Sequence, residues 1–162
     1  MSTGENNYAF IDGQNLHLGI RSLGWNLDYA RFRKYLAEKY SVKVAYYFVG
    51  YVPGKQPLYS DLQKMGYVLV FKPTIPDGDG NIKGNIDADL VLQAMADFNN
   101  YEKAVIATSD GDFYSLVKHL YQNKKLRCVM SPYVKTCSSL LKKEAKEKVV
   151  FMDNLKAKLE RK

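Results

Sequence analysis

The feature of this 162-residue chain that most constrains its fold is the alternation of short apolar runs with segments of helical spacing. Segments such as LDYARFRKYLAEKY, ADLVLQAMADF and FYSLVKHLYQN repeat apolar residues about every 3.6 positions. Strands that are apolar throughout are typical of parallel sheets buried on both faces. The pattern therefore predicts an α/β fold, a three-layer α/β/α sandwich with a mostly parallel central sheet. The predicted strands are 8–11, 44–52, 67–71, 104–107, 126–130 and 149–151.

Length and composition predict one globular domain over residues 1–162. The 46% share of hydrophobic residues argues against a disordered chain. The start, MSTGENNYAF, is polar, and no apolar run approaches bilayer length, so we expect a cytoplasmic protein with no membrane partner. Cys128 and Cys137 form no C-x-x-C motif, so neither a zinc site nor a disulfide framework is expected. The sequence does not fix the oligomeric state, and it is compatible with a homodimer.

Positive charge is concentrated at the C-terminal end. The formal net charge is +7, and 135–162 holds nine basic against four acidic residues, which accounts for +5 of it. We predict a basic C-terminal helical tail at about 135–162. Such a helix is either an ordinary solvated face or a surface that contacts phosphates, and the overall charge favours an anionic partner.

Four aspartates stand where a parallel sheet gathers its ligands, at the carboxyl ends of strands. Asp12 ends the first apolar run, and Asp110 and Asp112 follow the fourth in ATSDGDF. Asp87 begins a helix after the long loop 72–85, whose length is typical of functional loops. We expect the four carboxylates to meet at one edge of the sheet.

Clustered carboxylates repel one another unless a cation lies between them. Hard cations such as Mg²⁺ and Mn²⁺ prefer oxygen ligands, and phosphodiester hydrolysis uses such ions to activate water and to neutralise charge on the phosphate. A structural explanation remains open for each acid. Asp110 and Asp112 could cap the next helix, Asp87 could cap its own, and Asp12 could form an Asx turn.

Other motifs are excluded by specific residues. DGDGN at 77–81 lacks the Gly and Glu of an EF-hand, since Ile82 and Ala88 occupy those positions. DGQNLHLG after the first strand is not the G-x-G-x-x-G of a dinucleotide site. Gln14 stands where a haloacid-type phosphatase would have its second Asp.

Three motifs in order, FIDGQN, KGNIDADLVLQAM and ATSDGDF, resemble the NYN domains of the LabA-like group in the PIN-like nuclease superfamily, over about 8–130. The resemblance implies the strand order 3-2-1-4-5 and metal-dependent RNA cleavage. It implies that Asn15 orients the site or contacts phosphate, that Lys83 contacts phosphate, and that Thr108 and Ser109 offer hydroxyls to the substrate. The family's acidic metal-site positions match Asp12, Asp87, Asp110 and Asp112.

The chain departs from this pattern at Gln93. Many relatives carry a further Asp six residues after the position of Asp87. A helix turns about 100° per residue, so that position lies well off the face of Asp87 and its replacement should spare metal ligation.

The sequence thus predicts an Mg²⁺- or Mn²⁺-dependent ribonuclease, cleaving single-stranded or loop RNA endonucleolytically, with the basic tail adding salt-sensitive affinity. An RNA-binding module without turnover is the first alternative. A metal-dependent phosphatase acting on small molecules is the second.

Overall fold

The computed structural model describes residues 5–73, 75–76, 82–83 and 86–162, without the side chains of 73, 75, 76, 82 and 83. Most of the loop 72–85 therefore lies outside the described residues. The strands are β1 (Asn7–Asp12), β2 (Val42–Tyr51), β3 (Tyr67–Pro73), β4 (Ile75–Pro76), β5 (Ile82–Lys83), β6 (Ala104–Ala107), β7 (Leu126–Ser131) and β8 (Val149–Phe151).

Six of these strands form one parallel sheet in the order β3-β2-β1-β6-β7-β8. Counting only the strands of this sheet along the chain, the order is 3-2-1-4-5 with a sixth strand added at the edge. This confirms the α/β class and the Rossmann-like topology. The strands β4 and β5 form a separate antiparallel pair.

Helices cover both faces of the sheet. They are α1 (Gly13–Ser22), α2 (Tyr29–Tyr40), α3 (Gln56–Lys64), α4 (Asp87–Ala96), α5 (Tyr114–Gln122), α6 (Ser139–Ala145) and α7 (Lys156–Leu159). On β1, Ala9 and Ile11 join the apolar cluster under α1 and α2, whereas Phe10 joins the cluster under α4, α5 and α6. All three side chains are fully buried, which explains why this strand is apolar at successive positions.

The basic segment 135–162 is built into the fold. It supplies α6 and α7, and also β8, which pairs with β7 at the edge of the sheet. Met152 and Leu159 are buried in the core. The backbone N–H of Asp28 donates to the carbonyl oxygen of Leu159 at 2.7 Å. The segment therefore adds a strand and core side chains as well as positive charge.

Within the described part of the chain, no helix has both the length and the apolar character needed to cross a bilayer.

Candidate metal centre

Asp12 ends β1 and caps α1 at the carboxyl edge of the sheet. Its carboxylate accepts a hydrogen bond from the backbone N–H of Asn15 at 3.3 Å and another from the Thr108 hydroxyl at 3.2 Å. Only 6% of the residue is exposed. The Asx-type cap predicted as the structural explanation is therefore present, and the same carboxylate also faces the other acids.

Gly13 lets α1 begin very close to β2. A Cβ at this position would lie 2.5 Å from a ring carbon of Tyr47 and 2.8 Å from the carbonyl oxygen of Phe48. The Tyr47 hydroxyl donates to the carbonyl oxygen of Gly13 at 3.3 Å. The Gly of FIDGQN thus fixes where the helix leaves the sheet, and with it the position of Asp12.

Asp110 and Asp112 lie in the turn after β6, which forms a short 3-10 helix, Gly111–Phe113. The backbone N–H of Asp112 donates to the Asp110 carboxylate at 2.9 Å, and that of Asp110 donates to the Thr108 hydroxyl at 3.1 Å. Asp110 therefore caps the turn. One Thr108 hydroxyl links the backbone of this turn to the carboxylate of Asp12, which holds the two parts of the site together.

Three of the four predicted acids converge. Carboxylate oxygens of Asp12, Asp87 and Asp110 lie within 4.8 Å of one another. Asp87 is the first residue of α4 and not its cap, because Ile86 takes the cap position. Asp112 falls outside this trio but lines the same cavity of about 440 Å³.

Burial, together with the charges of the neighbouring acids, raises the pKa of two of these carboxyls. Burial raises the pKa of Asp12 to about 6, and the negative charges of Asp87 and Asp110 raise it further. The hydrogen bonds from Asn15 and Thr108 lower this pKa and offset part of the increase. The pKa of Asp87 is raised by burial and by the charges of Asp110 and Asp112, and is lowered in part by Lys72. The ionised cluster is therefore unfavourable by itself and would be stabilised by a cation.

The donor set suits a hard divalent cation. It consists of carboxylate oxygens, and neither His nor Cys contributes to the trio. Oxygen-only donors of high negative charge favour Mg²⁺ or Mn²⁺ over Zn²⁺ or copper. The residues present therefore fit the ion that the sequence predicts.

Asn15 connects the two halves of the site. Its side-chain oxygen accepts hydrogen bonds from the backbone N–H of Ser109 at 2.9 Å and from the Ser109 hydroxyl at 3.0 Å. The backbone N–H of Ser138 in turn donates to the carbonyl oxygen of Ser109 at 3.0 Å. Asn15 and Ser109 therefore position the turn that carries Asp110, a structural role in addition to the substrate contacts that the sequence suggested.

A basic residue that the sequence analysis missed lies within electrostatic range of Asp87. Lys72, near the end of β3, is close enough to Asp87 to lower its pKa. The rule that ligands gather at the carboxyl ends of strands could have found it, because it applies to β3 as well as to β1 and β6. The backbone of Lys83 lies in β5, but its side chain lies outside the described residues, so its phosphate contact stays a prediction.

Gln93 is engaged away from the acidic cavity. Its side-chain amide donates to the carboxylate of Asp97 at 2.9 Å, and the Tyr46 hydroxyl donates to the same carboxylate at 2.7 Å. Position 93 therefore supports the end of α4.

Replacing Gln93 by Asp, the residue of many relatives, is expected to lower the free energy of unfolding by about 1 kcal/mol. The change removes a hydrogen bond and places a second carboxylate four residues from Asp97. Urea denaturation measures the change in the free energy of unfolding. Gln93→Ala is the control, because it removes the hydrogen bond without adding charge. A Gln93→Asp protein more stable than Gln93→Ala would contradict this account.

Comparisons with known proteins show the family of the chain and agree with its fold. The family profile "NYN domain" matches residues 8–153, and the chain belongs to the NYN domain family of the PIN-like nuclease superfamily. NYN domains are generally nucleases, and they usually use divalent metals.

One relative that is similar in sequence and one solved structure that is similar in fold illustrate these matches. The chain is 27% identical over 121 residues to Low amplitude and bright protein LabA of Synechococcus elongatus. That alignment covers 68% of this chain and 65% of LabA, so it spans less than two thirds of that relative. The crystal structure of a protein of unknown function from Vibrio parahaemolyticus matches with a TM-score of 0.75 and 25% identity, over 95% of this chain and 98% of that chain.

Proposed function

We propose that this protein is a divalent-metal-dependent endoribonuclease that cleaves single-stranded or loop RNA. The observation that carries the proposal is the convergence of Asp12, Asp87 and Asp110 at the carboxyl edge of the sheet in a chain of the NYN family. Mg²⁺ or Mn²⁺ would be held by these three carboxylates, with Asp112 at the rim of the cavity.

When bound, the ion would supply an activated water and neutralise charge that develops on the phosphate. The residues of the chain itself fix the geometry for this chemistry. Asp12 is held by Asn15 and Thr108, and Asp110 is held by the turn that it caps. Because these hydrogen bonds exist before substrate binds, the carboxylates need little rearrangement.

Positive charge near the acids would bind the RNA backbone. Lys72 lies near Asp87, and we assign Lys83 the same role. Most basic residues of 135–162 are exposed, including Lys135, Lys142 and Lys143. Contacts of this kind give affinity that is independent of sequence and falls steeply with salt.

Incubation of the purified protein with labelled unstructured RNA tests the proposal. We expect cleavage with Mn²⁺ or Mg²⁺, none with EDTA, and at least about 100-fold slower cleavage by Asp110→Asn. Matching DNA serves as the comparison substrate, and mononucleotides test for phosphate release.

Three outcomes would contradict the proposal. Cleavage that persists in EDTA or in Asp110→Asn would indicate a contaminating or metal-independent nuclease. Tight RNA binding without cleavage in any metal would favour an RNA-binding module. Phosphate release from mononucleotides with intact RNA would favour a phosphatase.

Replacing Lys72 by Ala is expected to weaken RNA binding about 3- to 10-fold at low salt and to reduce the salt dependence of binding by about one phosphate contact. Fluorescence anisotropy over a salt titration measures both effects. Lys43→Ala is the matched control, because Lys43 is an exposed lysine near the start of β2, whereas Lys72 lies near the end of the neighbouring strand β3. Equal losses in the two variants would show that Lys72 contributes only general charge.

A further inference from the structure

A second cavity, of about 450 Å³, adjoins the acidic one. The two share Asn15, Leu18 and Asp110 as walls. The remaining walls of the second cavity come from the end of α1 and from the segments that follow β6 and β7. In that order of elements, they are Gly19 and Ser22, then Ser109 and Gly111, then Thr136 and Ser138. We call this second cavity the hydroxyl groove. A strand lying across the acids could extend directly into it.

Four hydroxyls line the groove, and that of Ser109 donates to the side-chain oxygen of Asn15. The other three also have defined hydrogen-bond states. Thr136 donates to the carbonyl oxygen of Tyr133 at 3.2 Å, and Ser22 donates to that of Leu18 at 2.9 Å. Both oxygens therefore present lone pairs to a ligand. The oxygen of Ser138 accepts from the backbone N–H of Leu140 at 3.1 Å, which leaves its own hydrogen for donation.

The groove combines hydroxyls with apolar surface and carries little charge. Asp110, at the boundary with the acidic cavity, is its only charged lining residue among those described, and no aromatic side chain lines it. A phosphate would find no cation there, and a base would find no ring for stacking. Leu18 is 49% exposed and offers an apolar surface beside the hydroxyls. Sugars combine apolar C–H faces with hydroxyls that both donate and accept, so a ribose fits this lining.

We propose that the hydroxyl groove binds the ribose of the nucleotide next to the scissile phosphate and recognises its 2′-hydroxyl. The proposal rests on the proposed function, because it assumes that the scissile phosphate lies at the acids. The 2′-hydroxyl donates to Thr136 or Ser22 and accepts from Ser138. Because the 2′-hydroxyl distinguishes RNA from DNA and the groove reads no base, the enzyme selects RNA with little sequence preference.

The test compares RNA, the same sequence in DNA, and RNA carrying a single 2′-deoxynucleotide at successive positions. Cleavage is measured in Mn²⁺. Binding is measured by fluorescence anisotropy with Ca²⁺ in place of Mn²⁺. Ca²⁺ is a larger ion with more flexible coordination. The variants are Thr136→Val and Ser22→Ala, and the matched control is Ser60→Ala, an exposed serine on α3. Thermal melting checks that each variant is folded.

We expect wild type to bind RNA about 10-fold more tightly than DNA, and one 2′-deoxy position beside the cleaved bond to slow cleavage by a similar factor. Whichever of Thr136→Val and Ser22→Ala removes the acceptor of the 2′-hydroxyl should reduce these ratios to about 2- to 3-fold, whereas Ser60→Ala should leave them unchanged. Loss of the RNA preference in the groove variants would support ribose binding in the groove, even if no RNA is cleaved. The absence of cleavage would overturn only the proposed nuclease activity. Cleavage with unchanged RNA-to-DNA ratios in folded groove variants would overturn the groove and leave the nuclease standing. Equal binding of RNA and DNA by wild type would also overturn the groove.

Discussion

Replacing Asp12 by Asn is expected to abolish metal-dependent RNA cleavage and, without divalent metal, to raise the free energy of unfolding near pH 7.5 by about 1–3 kcal/mol. The variant is thus expected to be less active and more stable. Asn retains an oxygen to accept from the backbone of Asn15 and an amide that can donate to Thr108, so the hydrogen bonds of Asp12 can be kept.

The sign of the stability effect follows from the raised pKa. Burial raises the pKa of Asp12 from 3.8 to about 6. Below about pH 4 the carboxyl is protonated in the folded and unfolded states and contributes no difference. Between about pH 4 and 6 the unfolded chain ionises first, so the folded protein loses stability as the pH rises. A shift of about two pH units corresponds to about 3 kcal/mol, and Asn avoids this loss because it carries no charge.

Urea denaturation in EDTA at several pH values measures this difference, with Asp61→Asn as the control for removal of an exposed carboxylate. The gain of Asp12→Asn should vanish near pH 4. Mn²⁺ should raise the Tm of wild type more than that of the variant, because the variant lacks one of the three carboxylates. An Asp12→Asn protein that is destabilised at every pH would contradict the account of the cluster.

Replacing Asn15 by Ala is expected to lower the free energy of unfolding by about 2–4 kcal/mol and to slow RNA cleavage at least about 10-fold. In the variant the backbone N–H of residue 15 can still donate to the carboxylate of Asp12. The substitution therefore tests the side chain of Asn15 alone. Its loss leaves the N–H and the hydroxyl of Ser109 without their acceptor, and Ser109 is only 6% exposed. An unsatisfied buried donor costs about 1–3 kcal/mol.

Urea denaturation and RNA cleavage under saturating Mn²⁺ measure the two effects of Asn15→Ala. Asn99→Ala, at an exposed asparagine beyond α4, is the matched control. A variant that is fully active but unstable would show that Asn15 serves the fold alone. A variant of wild-type stability that cleaves slowly would show that Asn15 acts on the substrate.

The sequence allowed the fold to be predicted because parallel strands that are buried on both faces carry continuous apolar runs. Even the short run at 149–151 forms β8. The positions of Asp12 and Asp110 at strand ends could be predicted for the same reason. The link between Asn15 and Ser109 could not, because it joins residues 94 positions apart and depends on how two neighbouring strands end. Nor could charge counting show that 135–162 contributes a strand and core side chains.

The long-range link across the site also determines when the site can exist during synthesis. Thr108 and Asp12 are 96 positions apart, and they meet only where β6 lies beside β1. A nascent chain that ends before residue 110 carries Asp12 without Asp110, however well its first strands have formed. Pairing over such a separation closes a long loop and is intrinsically slow. The acidic cluster is therefore assembled only after β6 has left the ribosome and has paired with β1.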